Sequence, residues 1–218
     1  METTWKARCP LAPTPAHAIL MLAPMEGISD DIVRELFSTI GGMDLAVTEF
    51  IRVSRRALTR DVLLRECPEL ENGGRTPSGT PVLIQLLGGD PVLVAESAKL
   101  AADLGALGID LNFGCPAKKV NGSDGGAVLL KEPHRITDVV AATRQACPKD
   151  VTVSAKIRLG WEDPGDVIAC AKAAEAGGAD WITIHARTKV QMYKPHADWT
   201  RIADARREVK IPVVANGD

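Results

Sequence analysis

Seven short apolar runs recur along the chain at intervals of roughly 30 residues, the spacing of successive strand–helix units. They occupy residues 19–23, 45–48, 82–87, 109–111, 151–157, 181–184 and 211–215. Each is nearly continuous in its apolarity. That pattern suits strands covered on both faces of a parallel sheet, whereas a half-exposed strand alternates apolar with polar. Amphipathic stretches with readable ends lie between the runs. Ser29 or Asp30 is expected to cap a helix whose Ile32, Val33, Leu36, Phe37 and Ile40 form one stripe, closed by Gly41 and Gly42. Asp90-Pro91 and Glu132-Pro133 open two more, since proline in a first turn gives up only an N–H that has no partner there. Residues 164–176 and 199–209 supply the last two.

The C-terminal end of each run helps to choose among parallel-sheet folds. Polar or reactive side chains stand just past the runs: Glu26, Glu49, Gln85, Asn112 with Cys115, Lys156 with Arg158, His185 with Arg187, and Asn216 with Asp218. Functional groups gathered at the C-terminal ends of successive strands are the mark of a (β/α)8 barrel. A doubly wound sheet would concentrate them at one switch point, and neither G-x-G-x-x-G after a strand nor G-x-x-x-x-G-K-[ST] occurs. The expected fold is therefore α/β, a TIM barrel of about seven βα units spanning 21–218. Residues 1–20, rich in proline, are expected to be a disordered N-terminal extension. Because a complete barrel takes about 250 residues, a chain of 218 reads as a C-terminally shortened one.

Composition excludes several classes. No apolar run nears the ~18 residues of a membrane span. Net charge is −2, so a nucleic-acid partner would be met by a local basic surface only. Five cysteines, with no C-x-x-C pair, point to reduced thiols in a cytoplasmic setting and to no metal site.

One segment carries most of the chemistry: DLNFGCPAKKVNGSDGGAVLL, 110–130. A thiol is fixed between Gly114 and Pro116, two lysines come next, and a glycine-rich turn at 122–126 permits close backbone approach. With an unperturbed pKa of about 8.5, the Cys115 thiol is mostly protonated at neutral pH and able to act as an acid. Lys156 ends an otherwise small and apolar strand, where a cation would stabilise negative charge.

Together with APMEG (23–27), TEFIRVS (48–54), QLLG (85–88), KIRLGW (156–161), HARTK (185–189) and ANGD (215–218), this segment resembles the tRNA-dihydrouridine synthases. CPELENGGRTPSGTPV (67–82) and KVQMYKPHADW (189–199) are most similar to the bacterial C-type branch, which acts on uridine 16 of the tRNA D-loop. The resemblance implies a flavoenzyme that reduces the C5=C6 bond of uridine, with FMN as cofactor and NADPH as reductant. It implies that Cys115 gives the proton to C5. Pro24, Met25, Glu26, Gln85, Lys156, His185, Asn216, Gly217 and Asp218 would bind the cofactor. Arg52, Asn112, Lys118, Lys119, Arg187, Lys189 and Tyr193 would meet the tRNA, with Arg55, Arg56, Arg60 and Lys194 on the same rim. A Gly-Arg-Gly phosphate turn and a helical C-terminal domain, both features of the family, do not occur within these residues. No protein partner is evident, and a monomer is expected at full length. Two other readings remain open from the sequence: a dihydroorotate-dehydrogenase-like flavoenzyme, and a non-catalytic tRNA-binding fragment.

Overall fold

The computed structural model describes residues 19–194 and 196–218. The expected extension therefore lies almost wholly outside the described residues.

Seven strands form one sheet in sequence order: β1 (Met21–Leu22), β2 (Leu45–Arg52), β3 (Val82–Leu87), β4 (Gly108–Asn112), β5 (Thr152–Arg158), β6 (Trp181–His185) and β7 (Val213–Asn216). Every neighbouring pair is parallel. The sheet curls into an open barrel, and β1 and β7 each have one strand neighbour among the described residues. Connections carry α1 (Asp31–Ile40), α2 (Arg60–Glu66), α3 (Pro91–Asp103), α4 (Lys118–Asn121), α5 (Pro133–Ala146), α6 (Val167–Ala176) and α7 (Trp199–Glu208). Among the described residues no helix is long and apolar enough to cross a membrane.

The pleat divides each strand between two environments, because successive side chains point to opposite faces. Outward residues such as Ile84, Ile109, Leu111, Val153, Ala155, Ile157, Ile182 and Ile184 are buried under the helices in the main core. Inward residues form a smaller cluster at the N-terminal end of the strands: Leu45, Val47, Leu83 and Trp181, with Met21 and Val214 against them. Above this apolar plug the inward positions become polar. Register sets Gln85 beside Asp110 and Asp110 beside Ser154; one tier higher it sets Asn112 beside Lys156 and Lys156 beside Thr183. The strands read as continuously apolar because only these few positions depart from the pattern.

Of the two expected caps, Asp30 is the one that closes the start of α1, its carboxylate accepting from Val33 N. The apolar stripe of α1 differs from the sequence reading and does not pack inward: Ile32 is 72% exposed and Ile40 is 70% exposed. The opposite, polar face is the buried one. Arg34 is 1% exposed and donates through Nε and Nη2 to the Glu69 carboxylate at 2.6 and 2.8 Å. Ser38 bonds Thr76 and Thr80, each at 2.7 Å. The loop at 67–81 thus supplies hydrogen-bonding partners to α1 where apolar side chains would ordinarily lie. In β2, a register shift between Val47 and Phe50 marks a bulge. The Thr48 hydroxyl fills the gap by accepting from Gln85 N at 3.0 Å.

Breaking a buried ion pair strands the remaining charge, at a cost of about 3–5 kcal/mol. Glu69→Ala is therefore expected to lower the urea midpoint strongly. Lys99→Ala, which removes an exposed pair with Asp103, should cost less than about 0.5 kcal/mol. Equal effects of the two substitutions would show that the Arg34–Glu69 pair does not hold α1 in place.

Candidate active site

The polar upper half of the barrel opens into a cavity of about 710 Å³ at the C-terminal ends of the strands. Its lining includes Pro24, Met25, Glu26, Gln85, Lys156, His185, Asn216, Gly217 and Asp218, together with Cys115. Each residue that the resemblance assigned to a cofactor, and the thiol assigned to proton transfer, therefore faces one space. Of the residues assigned to tRNA, Asn112, Arg187 and Tyr193 also line it. Lys118 and Lys119 are exposed on α4 outside it. Arg52 donates to the Lys119 carbonyl at 3.0 Å, tying α4 to the end of β2. Lys189 stacks its ammonium 4.3 Å from the centre of the Trp161 ring.

Several elements hold the cysteine loop. Gly114 N and Cys115 N both donate to Asn112 Oδ1 at 2.9 Å. Asn121 Nδ2 and Ala127 N donate to the Cys115 carbonyl at 2.9 and 3.1 Å. Arg158, 3% exposed, donates from Nε to Gly114 O at 2.8 Å and from Nη1 to Met192 O at 2.8 Å. It thereby joins the loops after β4 and β6. Gly126 closes the turn with φ +66°, and a Cβ there would meet Cys115 O at 2.9 Å, so the position requires glycine. The thiol is half-buried. Burial first, then the Glu26 carboxylate, raises its pKa above the ordinary thiol range, against lowering by the Ala117 backbone N–H and by Arg158 and Arg52. Cys115 is consequently a protonated donor at neutral pH.

The APMEG loop is fixed from beneath. Met25 N donates to Ser29 Oγ at 2.8 Å, and Ile28 N donates to Glu49 Oε1 at 2.9 Å. The Ser29 carbonyl accepts from Arg34 Nη1 at 2.8 Å. The bulge in β2 gives a physical reason for Glu49 to turn toward this loop and for Phe50 to enter the cavity lining.

Three cations, Lys156, Arg158 and Arg187, line the cavity along β5 and the end of β6, next to the strand that carries the thiol loop. Lys156 donates to Asn216 Oδ1 at 3.2 Å. Burial brings its pKa down to about 8, against the attraction of Asp110 that raises it. Arg187, 4% exposed, pairs with the Asp218 carboxylate at 2.5 Å and donates to the Lys194 carbonyl at 2.6 Å. It is thus a wall of the cavity and an anchor for the loop after β6, and not a free rim cation. His185 lies between these charges. Burial first, then Arg158, Lys156 and Arg187, push its imidazolium down to about 3. The ring is neutral at physiological pH.

Sequence reasoning missed Asp110 and Ser154 as members of the site. Asp110 is 3% exposed, accepts from Gln85 Nε2 at 2.6 Å and from Ser154 Oγ at 2.6 Å, and burial raises its pKa. The one available signal was a carboxylate inside an apolar run, flanked by Ile109 and Leu111. A second cavity of about 140 Å³, lined by residues of β1 and β7, shares Lys156 and Asn216 with the first and also reaches Asp110.

The depressed histidine has a measurable consequence. Between the unfolded value of 6.5 and the folded value of about 3, the unfolded chain binds a proton that the folded chain does not. Stability must then fall as pH drops below 6.5, by about 1–2 kcal/mol at pH 5 from this group alone. His185 ring resonances are expected to stay flat between about pH 5 and pH 8, and His185→Gln should flatten the acid limb of stability. A titration near pH 6.5 would contradict the buried, cation-flanked placement.

A model of the dihydrouridine synthase family matches residues 21–218. The tRNA-dihydrouridine(16) synthase of Pseudomonas syringae pv. tomato is 52% identical over 199 residues, covering 91% of this chain and 63% of that protein. The corresponding protein of Escherichia coli K12 is 48% identical over 200 residues, covering 91% and 64%. The chain thus spans a little under two thirds of the length of these relatives. Among solved structures, a phosphonopyruvate hydrolase in complex with oxalate and magnesium matches with a TM-score of 0.56 at 18% identity, over 89% of this chain and 65% of that one. A likeness at that identity concerns the barrel fold only. With the family model matched along the whole of the barrel, the chain belongs to the dihydrouridine synthase family.

Proposed function

We propose that this chain provides the catalytic barrel of a flavin-dependent reductase that converts a tRNA uridine, at D-loop position 16, to 5,6-dihydrouridine. The observation that carries the reading is one cavity lined by both a protonated thiol and a partly buried lysine ammonium. The relatives named for the same modification support it.

The residues present fit a flavin mononucleotide. The cavity falls within the ~300–1,000 Å³ range of small-molecule sites. Lys156, whose hydrogen bond to Asn216 leaves donors to spare, would meet the electron-rich edge of the ring. Gln85 keeps one N–H and one lone pair beyond its bonds to Asp110 and Asn112, enough for one donor and one acceptor contact. Pro24 and Met25 would pack on the ring, and Glu26, His185, Asn216, Gly217 and Asp218 would border it. When bound, this group supplies a hydride to uridine C6, with NADPH as reductant.

The chain's own residues do the rest. Cys115 donates its proton at C5, and its raised pKa keeps that proton available at neutral pH. Neutral His185 adds a hydrogen-bonding group without adding charge. Asn112 and Arg158 hold the thiol loop, and Tyr193 stands at the mouth, 68% exposed, beneath the Arg158 guanidinium. An exposed ring there suits stacking on a base that has left its helix. Lys118 and Lys119, with Arg52, Arg55, Arg56 and Arg60 nearby in sequence, would contact phosphates, which position the RNA without reading its sequence.

With dihydrouridine formed in tRNA measured by mass spectrometry of its nucleosides, Cys115→Ala is expected to lower turnover about 10²–10⁴-fold while retaining flavin absorbance. Unchanged turnover would remove Cys115 from the chemistry. A preparation that binds flavin but oxidises dihydroorotate instead would overturn the substrate. Flavin affinity should fall as pH rises through about 8, where Lys156 loses its charge. In Lys156→Met the affinity should be weaker and free of that step; a wild-type affinity that is flat across the same range would exclude Lys156 as the cation involved.

A further inference from the structure

We propose that Asp110 is a positioning residue for the Cys115 loop, acting at a distance through the side-chain amides of Gln85 and Asn112. The chain of bonds is continuous. Gln85 Nε2 donates to Asp110 Oδ2 at 2.6 Å, Asn112 Nδ2 donates to Gln85 Oε1 at 2.8 Å, and Asn112 Oδ1 receives Gly114 N and Cys115 N at 2.9 Å.

Each primary amide has a donor end and an acceptor end, so its orientation is set by its neighbours. Backbone N–H groups fix one end of this relay as donors. Asp110 Oδ2 fixes the other as an acceptor. Only one orientation of each amide satisfies both ends. Gln85 has no solvent-exposed surface of its own, although the cavity runs along one side of it. With Asp110 removed, the Gln85 N–H₂ would lose its carboxylate acceptor, and a water in the cavity would replace that bond only from another direction, which does not return the amide to the same orientation. The side chain would swing to find an acceptor, Asn112 would lose its own acceptor, and the grip on Cys115 N would loosen. The carboxylate need not be charged for this role. With a proton on Oδ1 shared toward Ser154 Oγ, Oδ2 still accepts from Gln85.

Asparagine at position 110 keeps the bond the relay needs, its Oδ1 accepting from Gln85 Nε2, and reverses the one to Ser154, its Nδ2 donating to Ser154 Oγ. Leucine preserves the volume and removes the pattern. Gln85→Met cuts the relay in the middle and leaves Asp110 in place. These differences separate positioning from general packing. That the loop's geometry matters to catalysis rests on the proposed reductase reading; that the relay holds the loop does not.

The test is the iodoacetamide alkylation rate of Cys115 in the flavin-free protein, followed at that residue by mass spectrometry, with turnover on tRNA measured in parallel. Asp110→Leu and Gln85→Met are each expected to raise the alkylation rate about tenfold and to lower turnover about 100-fold. Asp110→Asn should keep the alkylation rate near that of the unsubstituted protein. Should Asp110→Leu not fold, Gln85→Met and Asp110→Asn carry the comparison. Alkylation unchanged by Gln85→Met, or raised equally by Asp110→Asn and Asp110→Leu, would overturn the relay. Loss of turnover in every form, with the alkylation pattern as expected, would count against the reductase reading alone.

Discussion

A carboxylate and an ammonium share the interior of this barrel, and most of the site is arranged around them. Asp110 and Lys156 stand on adjacent strands, each pushed toward neutrality by burial and each drawn back toward charge by the other. Such opposition is stable only where desolvation and attraction are comparable, which requires a low-dielectric wall and hydrogen bonds to the remaining lone pairs. Ser154 and Gln85 supply those bonds to Asp110, and Asn216 supplies one to Lys156. The apolar plug of Leu45, Val47, Leu83 and Trp181 beneath them packs the N-terminal end of the strands. The pleat then brings Gln85, Asn112 and Lys156 into the lining of the large cavity.

The walls are built so that each reactive group is held by parts of the chain far apart in sequence. Arg158 joins the loops after β4 and β6, Glu49 at the β2 bulge holds the loop after β1, and Arg34 reaches the same loop from α1. Strand ends give direction, while these cross-links give position. A barrel site of this kind places catalytic groups from several strands at one mouth. Cys115 and Lys156, carried by neighbouring strands, face the same cavity.

Much of this was legible in the sequence. The seven strands, the caps at Asp90 and Asp30, and the gathering of Gln85, Cys115, Lys156 and His185 at one end are set by apolar continuity and by what interrupts it. The inward orientation of Asp110 was not, because a carboxylate inside a strand carries no mark of which face it takes. Helix α1 departs from its pattern for a related reason. Its apolar stripe suggests a core face, yet Arg34 finds Glu69 only through the loop at 67–81, and no local pattern announces that pairing. Arg187 reads as a rim cation from its sequence position alone, but Asp218 and the Lys194 carbonyl stand beside it. Partners distant in sequence decide whether a charge serves a ligand or the fold.

The pairing of Asp110 with Lys156 is most directly read by titrating Lys156 itself, through the ¹³Cε resonance of the labelled lysine. The folded protein should give a midpoint of about 8, and Asp110→Asn should move it lower, since the attraction that favours the ammonium is gone. A midpoint near the ordinary lysine value of 10.5, or one that Asp110→Asn leaves in place, would mean that the two groups do not share a buried interior.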